Sequence, residues 1–168
     1  MIMNSGRELD FEAAATFSSD RKYRYTLRRS ISMSPGTLCF VMLNPSTADE
    51  TQDDPTIRRC IGFATKWGFG QLLIVNIFAL RSTDPEHLYG HVDPIGPEND
   101  DVLYRAFVES DQVVAAWGNH GSHLGRADLV RGIGESASRK LYALRLTKQG
   151  QPEHPLYLPG SLKPEIAL

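Results

Sequence analysis

The chain has 168 residues, and its apolar (41%) and charged (23%) fractions are ordinary for a globular protein. This length predicts one domain over residues 1–168, in which residues 1–30 form a lead-in and a possible edge strand. The formal net charge of −2 excludes a whole-molecule field that would attract nucleic acid or an anionic membrane. Because no leader and no apolar run of membrane-spanning length is found, we expect a cytoplasmic protein without a membrane partner.

Apolar runs and turn signals predict that strands and helices alternate along the chain. Buried strands are predicted at residues 38–43, 71–78, 113–117 and 140–147, and an exposed edge strand at residues 23–29. Helices are predicted at residues 55–67, 97–109 and 124–137. The alternation favours an α/β fold, a three-layer αβα sandwich around a central, mainly four-stranded parallel sheet. The long connection at residues 81–96 predicts a functional loop.

Polar residues follow the predicted buried strands at the points where their apolar runs stop. In chain order these segments are Asn44-Pro45-Ser46-Thr47, Asn76, Gly118-Asn119-His120 directly after Trp117 and, after a longer gap, His154-Pro155. The carboxyl ends of parallel strands meet at one edge of a sheet, and open α/β sheets bind their ligands outside that edge. The sequence therefore predicts a ligand site there.

These four segments resemble, in order and spacing, those of the uracil-DNA glycosylase superfamily over roughly residues 38–160. The resemblance implies a uracil-DNA glycosylase-like fold that hydrolyses the N-glycosidic bond of a damaged or modified base in nucleic acid, DNA rather than RNA. It also implies that Asn44 positions the attacking water, that Asn76 reads the base and that His154 stabilises the leaving base. Residues 42–49 and 154–158 are similar, in addition, to an uncharacterised family of bacterial and phage proteins.

The residue types suit this chemistry, in which a sugar gains positive charge while a departing base gains negative charge. A neutral His154 could donate a hydrogen bond to the departing base, and Asn76 offers a donor and an acceptor together. Asn44 can orient a water but cannot remove its proton. No carboxylate lies beside Asn44-Pro45, and the nearest one, Asp49, is the candidate base.

Further residues are predicted to contact the substrate. Phe78 and Trp117 could stack on an extruded base, whereas Leu156 and Tyr157 could fill the space that it leaves. Pro45, Ser46 and Gly118 complete the expected pocket. Phosphate contacts would come from two basic clusters, Arg21, Lys22, Arg24, Arg28 and Arg29 in one, and Arg139, Lys140, Arg145 and Lys148 in the other.

Each motif also has a purely structural interpretation. Asn44-Pro45 could simply form a turn of the chain. Asn76 could form a structural hydrogen bond to a loop, and His154 could be a histidine of a surface loop. Two alternative functions therefore remain open: a non-catalytic module that binds nucleic acid or nucleotide, and a hydrolase of free nucleosides or nucleotides.

No metal or other cofactor is expected. His120 and His123 have a spacing compatible with a metal pair, but no cysteine or carboxylate cluster completes a site. Cys39 lies in an apolar strand and Cys60 on the apolar face of a helix, so both are predicted to be buried thiols, as suits a reducing compartment.

Overall fold

The computed structural model describes residues 15–168, which form one seven-stranded sheet with helices and loops around it. The strands are β1 (Ala15–Phe17), β2 (Arg24–Ser30), β3 (Thr37–Met42), β4 (Gln71–Asn76), β5 (Gln112–Ala115), β6 (Leu141–Ala143) and β7 (Ile166–Ala167). The α-helices are α1 (Pro55–Lys66), α2 (His87–Gly90), α3 (Asn99–Glu109) and α4 (Arg126–Ser136), and 3-10 turns cover Asn119–Gly125 and Pro155–Tyr157.

The strand order across the sheet is β1-β2-β4-β3-β5-β6-β7. Three parallel pairings join β4, β3, β5 and β6, and antiparallel pairings add β2 and β1 at one side and β7 at the other. The predicted α/β class is therefore confirmed. The sheet is larger and more mixed than the mainly four-stranded parallel sheet that was expected, because short antiparallel strands extend both sides.

Helices cover both faces of the sheet, which gives three layers. Alternate residues of β3 point to opposite faces, so Leu38 and Phe40 pack on the side of α1, whereas Cys39 and Val41 pack on the side of α3 and α4. The buried face of α1 carries Ile57, Cys60, Phe63 and Ala64. Burying an isoleucine or a phenylalanine of this kind contributes about 1.5–3 kcal/mol each.

The parallel register brings three strand ends together. Met42 at the end of β3 is paired with Asn76 at the end of β4, and Val41 is paired with Ala115 at the end of β5. The polar residues that follow β3, β4 and β5 therefore leave the sheet at the same edge.

Two features of the sequence prediction are corrected by the strand pairing. The predicted edge strand at residues 23–29 is β2, which is hydrogen-bonded to β1 on one side and to β4 on the other, so Tyr25 and Leu27 are buried. The predicted lead-in contains a strand, β1, although residues 1–14 lie outside the described residues.

The predicted strand at residues 140–147 is shorter than expected. β6 ends at Ala143, after which the chain turns through Gly150 (φ +80°) and returns, with Leu146 bridged to Pro152 and the Glu153 N–H donating to the Arg145 carbonyl at 2.8 Å. The returning segment leads directly to His154.

Both cysteines are buried and unpaired, as predicted. Burial raises the pKa of the Cys39 thiol to about 12, so it stays protonated at neutral pH. Among residues 15–168, no helix has the length and apolar composition needed to cross a membrane.

Candidate functional site

A cavity of about 250 Å³ lies at the carboxyl ends of β3 and β4, on the face of the sheet that α1 covers. Of the residues predicted to form a site, it brings together Asn44, Ser46, Asn76 and His154. The other polar residues that line it are Arg24, Asp54, Thr56, Ser82 and Thr83. It is displaced towards β2 from the ends of β5 and β6, so the site is made by only part of the predicted sheet edge.

Asn76 contributes a buried side-chain amide whose polar atoms lack partners in the described part of the chain. The residue is 1% exposed, and within residues 15–168 neither its Oδ1 nor its Nδ2 has a hydrogen-bond partner. An unsatisfied buried polar group costs about 1–3 kcal/mol, so proteins seldom keep one. Because Asn76 lines the cavity, a ligand with one acceptor and one donor on the same edge would satisfy both atoms.

Asn44 holds one wall of the cavity in place. Its Nδ2 donates to the carbonyls of Ser82 at 3.0 Å and Leu80 at 3.4 Å, and the Ser82 N–H donates to the Pro45 carbonyl at 2.9 Å. Asn44-Pro45 thus anchors the loop after β4, which supplies Ser82 and Thr83 to the cavity. Since the amide nitrogen is used, the Asn44 oxygen is the atom that remains to accept a hydrogen bond from a ligand or water.

His154 has one ring nitrogen bound to the backbone. Its Nδ1 accepts from the Leu156 N–H at 3.2 Å, and a nitrogen that accepts carries no proton. The neutral tautomer then has its proton on Nε2, which makes His154 a hydrogen-bond donor in the cavity. Burial lowers the pKa of the imidazole, and the negative charge of Asp54 opposes that effect only in part.

The segment that carries His154 is fastened at both ends. Upstream, the Trp117 indole donates to Gln151 at 2.8 Å and the Gly118 N–H donates to the Pro152 carbonyl at 2.7 Å. Gly118 has φ of +72°, a conformation that side-chain-bearing residues avoid, which explains a glycine at this turn. Trp117-Gly118 therefore acts on the segment that leads to His154 and does not line the cavity.

Downstream of His154, the chain is held against α1. Arg59 lies over the ring of Phe63 and donates to the carbonyls of Pro155 and Leu158, and Lys66 donates to the Gly160 carbonyl at 2.8 Å. The outer face of α1 thereby fixes the 3-10 turn that begins directly after His154.

Asp54 is the carboxylate that lines the cavity. It caps α1, with Oδ1 accepting from the Ile57 N–H at 2.8 Å, and Pro55 follows as the first helical residue. Asp49, the carboxylate predicted from the sequence, is not among the lining residues. Its Oδ1 accepts from the N–H groups of Thr51 and Gln52, and these bonds lower the pKa of the Asp49 carboxyl.

Arg24 is the residue of the cavity that sequence reasoning placed elsewhere. It is 2% exposed, and its Nη1 donates to the Ala48 carbonyl at 2.8 Å. The sequence assigned it to an exposed basic cluster, because alternation in residues 23–29 was interpreted as an edge strand. The loop after β3 buries the Arg24 side chain instead.

The structure places the remaining predicted contact residues away from the cavity. Phe78 is fully buried in the core below α3 and α4, on the opposite face of the sheet, with its ring beside His123. Trp117 is 1% exposed in that same core. Leu156 is half-buried and Tyr157 is 90% exposed, both on the turn after His154.

Most of the arginines in the two predicted basic clusters form ion pairs with carboxylates. The ion pairs are Arg21–Glu50, Arg28–Glu109, Arg29–Asp53 and Arg145–Glu153. Arg139 is bound to backbone carbonyls of Ser110 and Val108. Exposed ion pairs stabilise a fold little, but each must open before its arginine can bind a phosphate.

Within the described part of the chain, no group of three or more histidine, cysteine, aspartate or glutamate side chains is arranged to hold a metal ion. His120 accepts or donates a hydrogen bond with the Tyr89 hydroxyl at 2.8 Å, and His123 packs on the Tyr89 ring. Both histidines therefore belong to a surface aromatic cluster.

The pH dependence of stability provides a test of the His154 environment. Because the pKa of His154 is lower in the folded protein than in the unfolded chain, the unfolded chain takes up the proton first as the pH falls. The stability that neutral His154 contributes is complete above the ordinary histidine pKa of about 6.5. It is lost as the pH falls from there through the pKa of His154 in the folded protein. We expect the urea unfolding free energy to fall between about pH 7.5 and about pH 5, and to fall less in His154→Gln. An equal loss in both proteins would contradict the assigned environment.

The cavity lies within a region that defines a protein family. The family model described as "Protein of unknown function (DUF1643)" matches residues 24–156. The chain belongs to this family. The matched region runs from Arg24 past His154 and so contains every residue that lines the cavity. No curated protein and no solved structure matches the chain. Because the family has no assigned function, a function must be argued from the cavity itself.

Proposed function

We propose that the protein hydrolyses the N-glycosidic bond of a nucleobase that binds in the cavity beside Asn76. The observation that carries this proposal is the pair of unsatisfied amide atoms of Asn76, buried at the end of β4. A nucleobase edge presents neighbouring carbonyl and N–H groups, which are the partners that a fixed amide requires. The cavity, about 250 Å³, is near the lower limit of about 300 Å³ for pockets that hold drug-sized ligands, so it suits a ligand as small as one base with its sugar.

The chemistry requires stabilisation of the departing base. When the bond between C1′ and the base nitrogen breaks, its electron pair stays on the base, which gains negative charge. His154 is suited to this role, because its Nδ1 is occupied by the Leu156 N–H and its Nε2 proton is free to donate. A fixed donor of this kind contributes about 3–4 kcal/mol to a transition state.

A water molecule completes the reaction. Its oxygen bonds to C1′, and one of its protons must leave. The Asn44 oxygen can orient the water, and the Asp54 carboxylate, which also lines the cavity, can accept the proton. Only one oxygen of Asp54 is engaged in capping α1, so the other is available. Asp54 thus takes the role that the sequence assigned to Asp49.

The resemblance of four ordered segments to the uracil-DNA glycosylase superfamily supports the same reaction. Support for a nucleic-acid substrate is weaker, since carboxylates neutralise Arg21, Arg28, Arg29 and Arg145. The exposed Tyr157 beside the site is the feature that favours an extruded base, because an exposed aromatic could enter a base stack.

The experiment that tests the proposal is a search for released base. The protein is incubated with oligonucleotides that contain uracil, mismatches, deaminated purines or modified cytosines, and in parallel with the corresponding nucleosides and nucleotides. Mass analysis then detects free base, and alkali detects abasic sites. Release from one substrate supports the proposal and identifies the base. Saturable binding to the cavity without release from any substrate would contradict hydrolysis and favour a non-catalytic binding module.

Arg59→Ala tests whether α1 positions His154. Loss of the bonds to Pro155 and Leu158 frees the turn after His154, and a displacement near 1 Å can cost about a hundredfold in rate. We expect kcat for base release to fall about ten- to a hundredfold while KM changes little. Arg59→Lys should restore part of the rate. Arg105→Ala, on the exposed face of α3, is the control, and equal losses in both variants would contradict a positioning role.

A further inference from the structure

Arg24 is a buried cation with few partners. Its side chain is 2% exposed and lines the cavity, and its Nη1 donates to the Ala48 carbonyl. Among residues 15–168, its Nε has no hydrogen-bond partner and no carboxylate lies within the 4.0 Å of an ion pair. A guanidinium has five N–H donors in a planar fork. Among the described residues, the hydrogen bond from Nη1 to Ala48 therefore uses only part of this donor capacity.

The charge of Arg24 persists despite its burial. Burial lowers the pKa of the guanidinium to about 10, which still leaves it protonated at neutral pH. Asp54 attracts it from across the cavity, whereas Arg81 and Arg29 add further positive charge. An incompletely paired charge in a buried position is costly, so proteins keep it chiefly where a partner arrives later.

The surroundings of Arg24 suit an anionic oxygen group. Hydroxyl side chains of Ser46, Thr56 and Thr83 line the same cavity, whereas the Ser82 hydroxyl is already bonded to Asp84 and His87. Hydroxyl donors and an arginine fork together match the several acceptor oxygens of a phosphate or a carboxylate. Asn76, on the neighbouring strand β4, would meet a different, uncharged part of the same ligand.

We propose that Arg24 binds an anionic oxygen group of a small free ligand, which makes the substrate of the cavity a nucleotide, or a nucleoside whose base carries a carboxylate, and not a nucleic-acid chain. The part of this inference that names a nucleobase compound rests on the proposed function. The anionic group is either the terminal phosphate of a nucleoside monophosphate or a carboxylate on the base.

The burial of Arg24 favours a small free ligand over a nucleic-acid chain. An internucleotide phosphate has chain on both sides of it, so proteins that bind a nucleic-acid backbone use exposed arginine and lysine side chains. Arg24 lies inside the cavity, where only a terminal group can reach it without drawing in the chain. Three arginines that could follow a backbone, Arg21, Arg28 and Arg145, are instead in ion pairs.

The experiment compares matched ligands by calorimetry. The probes are the common ribo- and deoxyribonucleosides, their 5′-monophosphates, inorganic phosphate, the pyrimidine carboxylate orotate, and an oligonucleotide without terminal phosphates. We expect a 5′-monophosphate or orotate to bind about ten- to a hundredfold more tightly than its uncharged counterpart. That preference should disappear in Arg24→Met and stay unchanged in Arg28→Gln, which removes an arginine of the same strand from the pair with Glu109.

The outcomes show whether Arg24 binds a phosphate or a carboxylate, and they test the anion site separately from the hydrolysis. A preference for monophosphates assigns the phosphate, and a preference for orotate assigns the carboxylate. Equal affinity for charged and uncharged ligands, a preference that survives in Arg24→Met, or tighter binding of the oligonucleotide would overturn the inference. Base release is measured separately, so Arg24-dependent binding without release leaves the anion site standing and removes only the hydrolysis.

The thermal melting of the Arg24 variants serves as the control for correct folding. Arg24→Met loses the hydrogen bond to the Ala48 carbonyl but also removes a buried charge that has no ion pair among the described residues, so its melting temperature should stay close to that of the parent protein. Arg24→Lys keeps the charge without the planar fork and should retain part of the preference, which keeps the test valid even where the methionine variant does not fold. A marked loss of stability in both variants would show that Arg24 is structural and would overturn the inference.

Discussion

His154→Ala is expected to lower the rate of base release about 10²–10³-fold while leaving the fold intact. The reason is that His154 is the neutral donor of the cavity: the Leu156 N–H occupies Nδ1, and burial disfavours the imidazolium. Removing the ring takes away the hydrogen bond to the departing base but leaves the base contacts of Asn76 in place. The loss should therefore fall on kcat, with KM changed much less.

The matched control for His154→Ala is His91→Ala. His91 is exposed and accepts from the Asp93 N–H at 3.0 Å, a local bond of the same kind as that of His154, but it does not line the cavity. Mass analysis of released base is the measurement for both variants. An unchanged rate in His154→Ala, or an equal loss in His91→Ala, would remove His154 from the reaction.

Asn76→Leu is expected to stabilise the ligand-free protein and to abolish ligand binding. The parent carries two buried amide atoms that have no partner within residues 15–168, each costing about 1–3 kcal/mol, and leucine has a similar branched shape without polar atoms. We expect the unfolding free energy to rise by about 1–3 kcal/mol. If the variant gains stability and loses binding, the role of Asn76 is to bind a ligand and not to stabilise the fold.

Asn99→Leu is the matched control for this second prediction. Asn99 is also a fully buried asparagine, but its Nδ2 donates to the carbonyls of Asn76 at 2.8 Å and Ile77 at 3.3 Å. Its replacement leaves those carbonyls without this donor, which costs about 1–3 kcal/mol and offsets what is gained by removing an Oδ1 that has no partner among the described residues, so Asn99→Leu should not stabilise the protein. Urea unfolding of the two variants measures the contrast. A similar destabilisation in both would show that Asn76 serves the fold and that its amide is satisfied in solution.

The sequence located the apolar runs, because a buried apolar run that stops at a polar residue is a strong local signal, although each of the four strands ends earlier than predicted. Asn44 and Asn76 were identified in this way and His154 from the motif resemblance, and the cavity contains all three. Phe78 was assigned to the wrong side because β4 ends at Asn76, and the chain beyond that point enters the core under α3 and α4. A shift of this size in a strand boundary is enough to change the face on which a side chain lies.

Arg24 and Asp54 were not predicted as site residues, for two different reasons. Arg24 depends on tertiary packing, since its side chain is buried against the loop after β3, where it bonds the Ala48 carbonyl, and periodicity gives strands without the loops that cover them. Asp54 was predicted as a helix cap, which is correct, but a cap says nothing about where the second carboxylate oxygen points. Asp49 was preferred on sequence proximity alone, whereas Arg29 bonds the carbonyls of its loop and fixes it elsewhere.

The central claim, that a ligand satisfies the buried amide of Asn76, is tested most directly by NMR of its side-chain NH2 group. The two proton–nitrogen signals are assigned by their absence in Asn76→Leu, and each nucleoside and nucleoside 5′-monophosphate is titrated in turn. We expect a ligand that binds to shift the Asn76 signals to saturation, while those of Asn119, whose Oδ1 already accepts from Thr147, stay in place. Binding observed by calorimetry without movement of the Asn76 signals would contradict it.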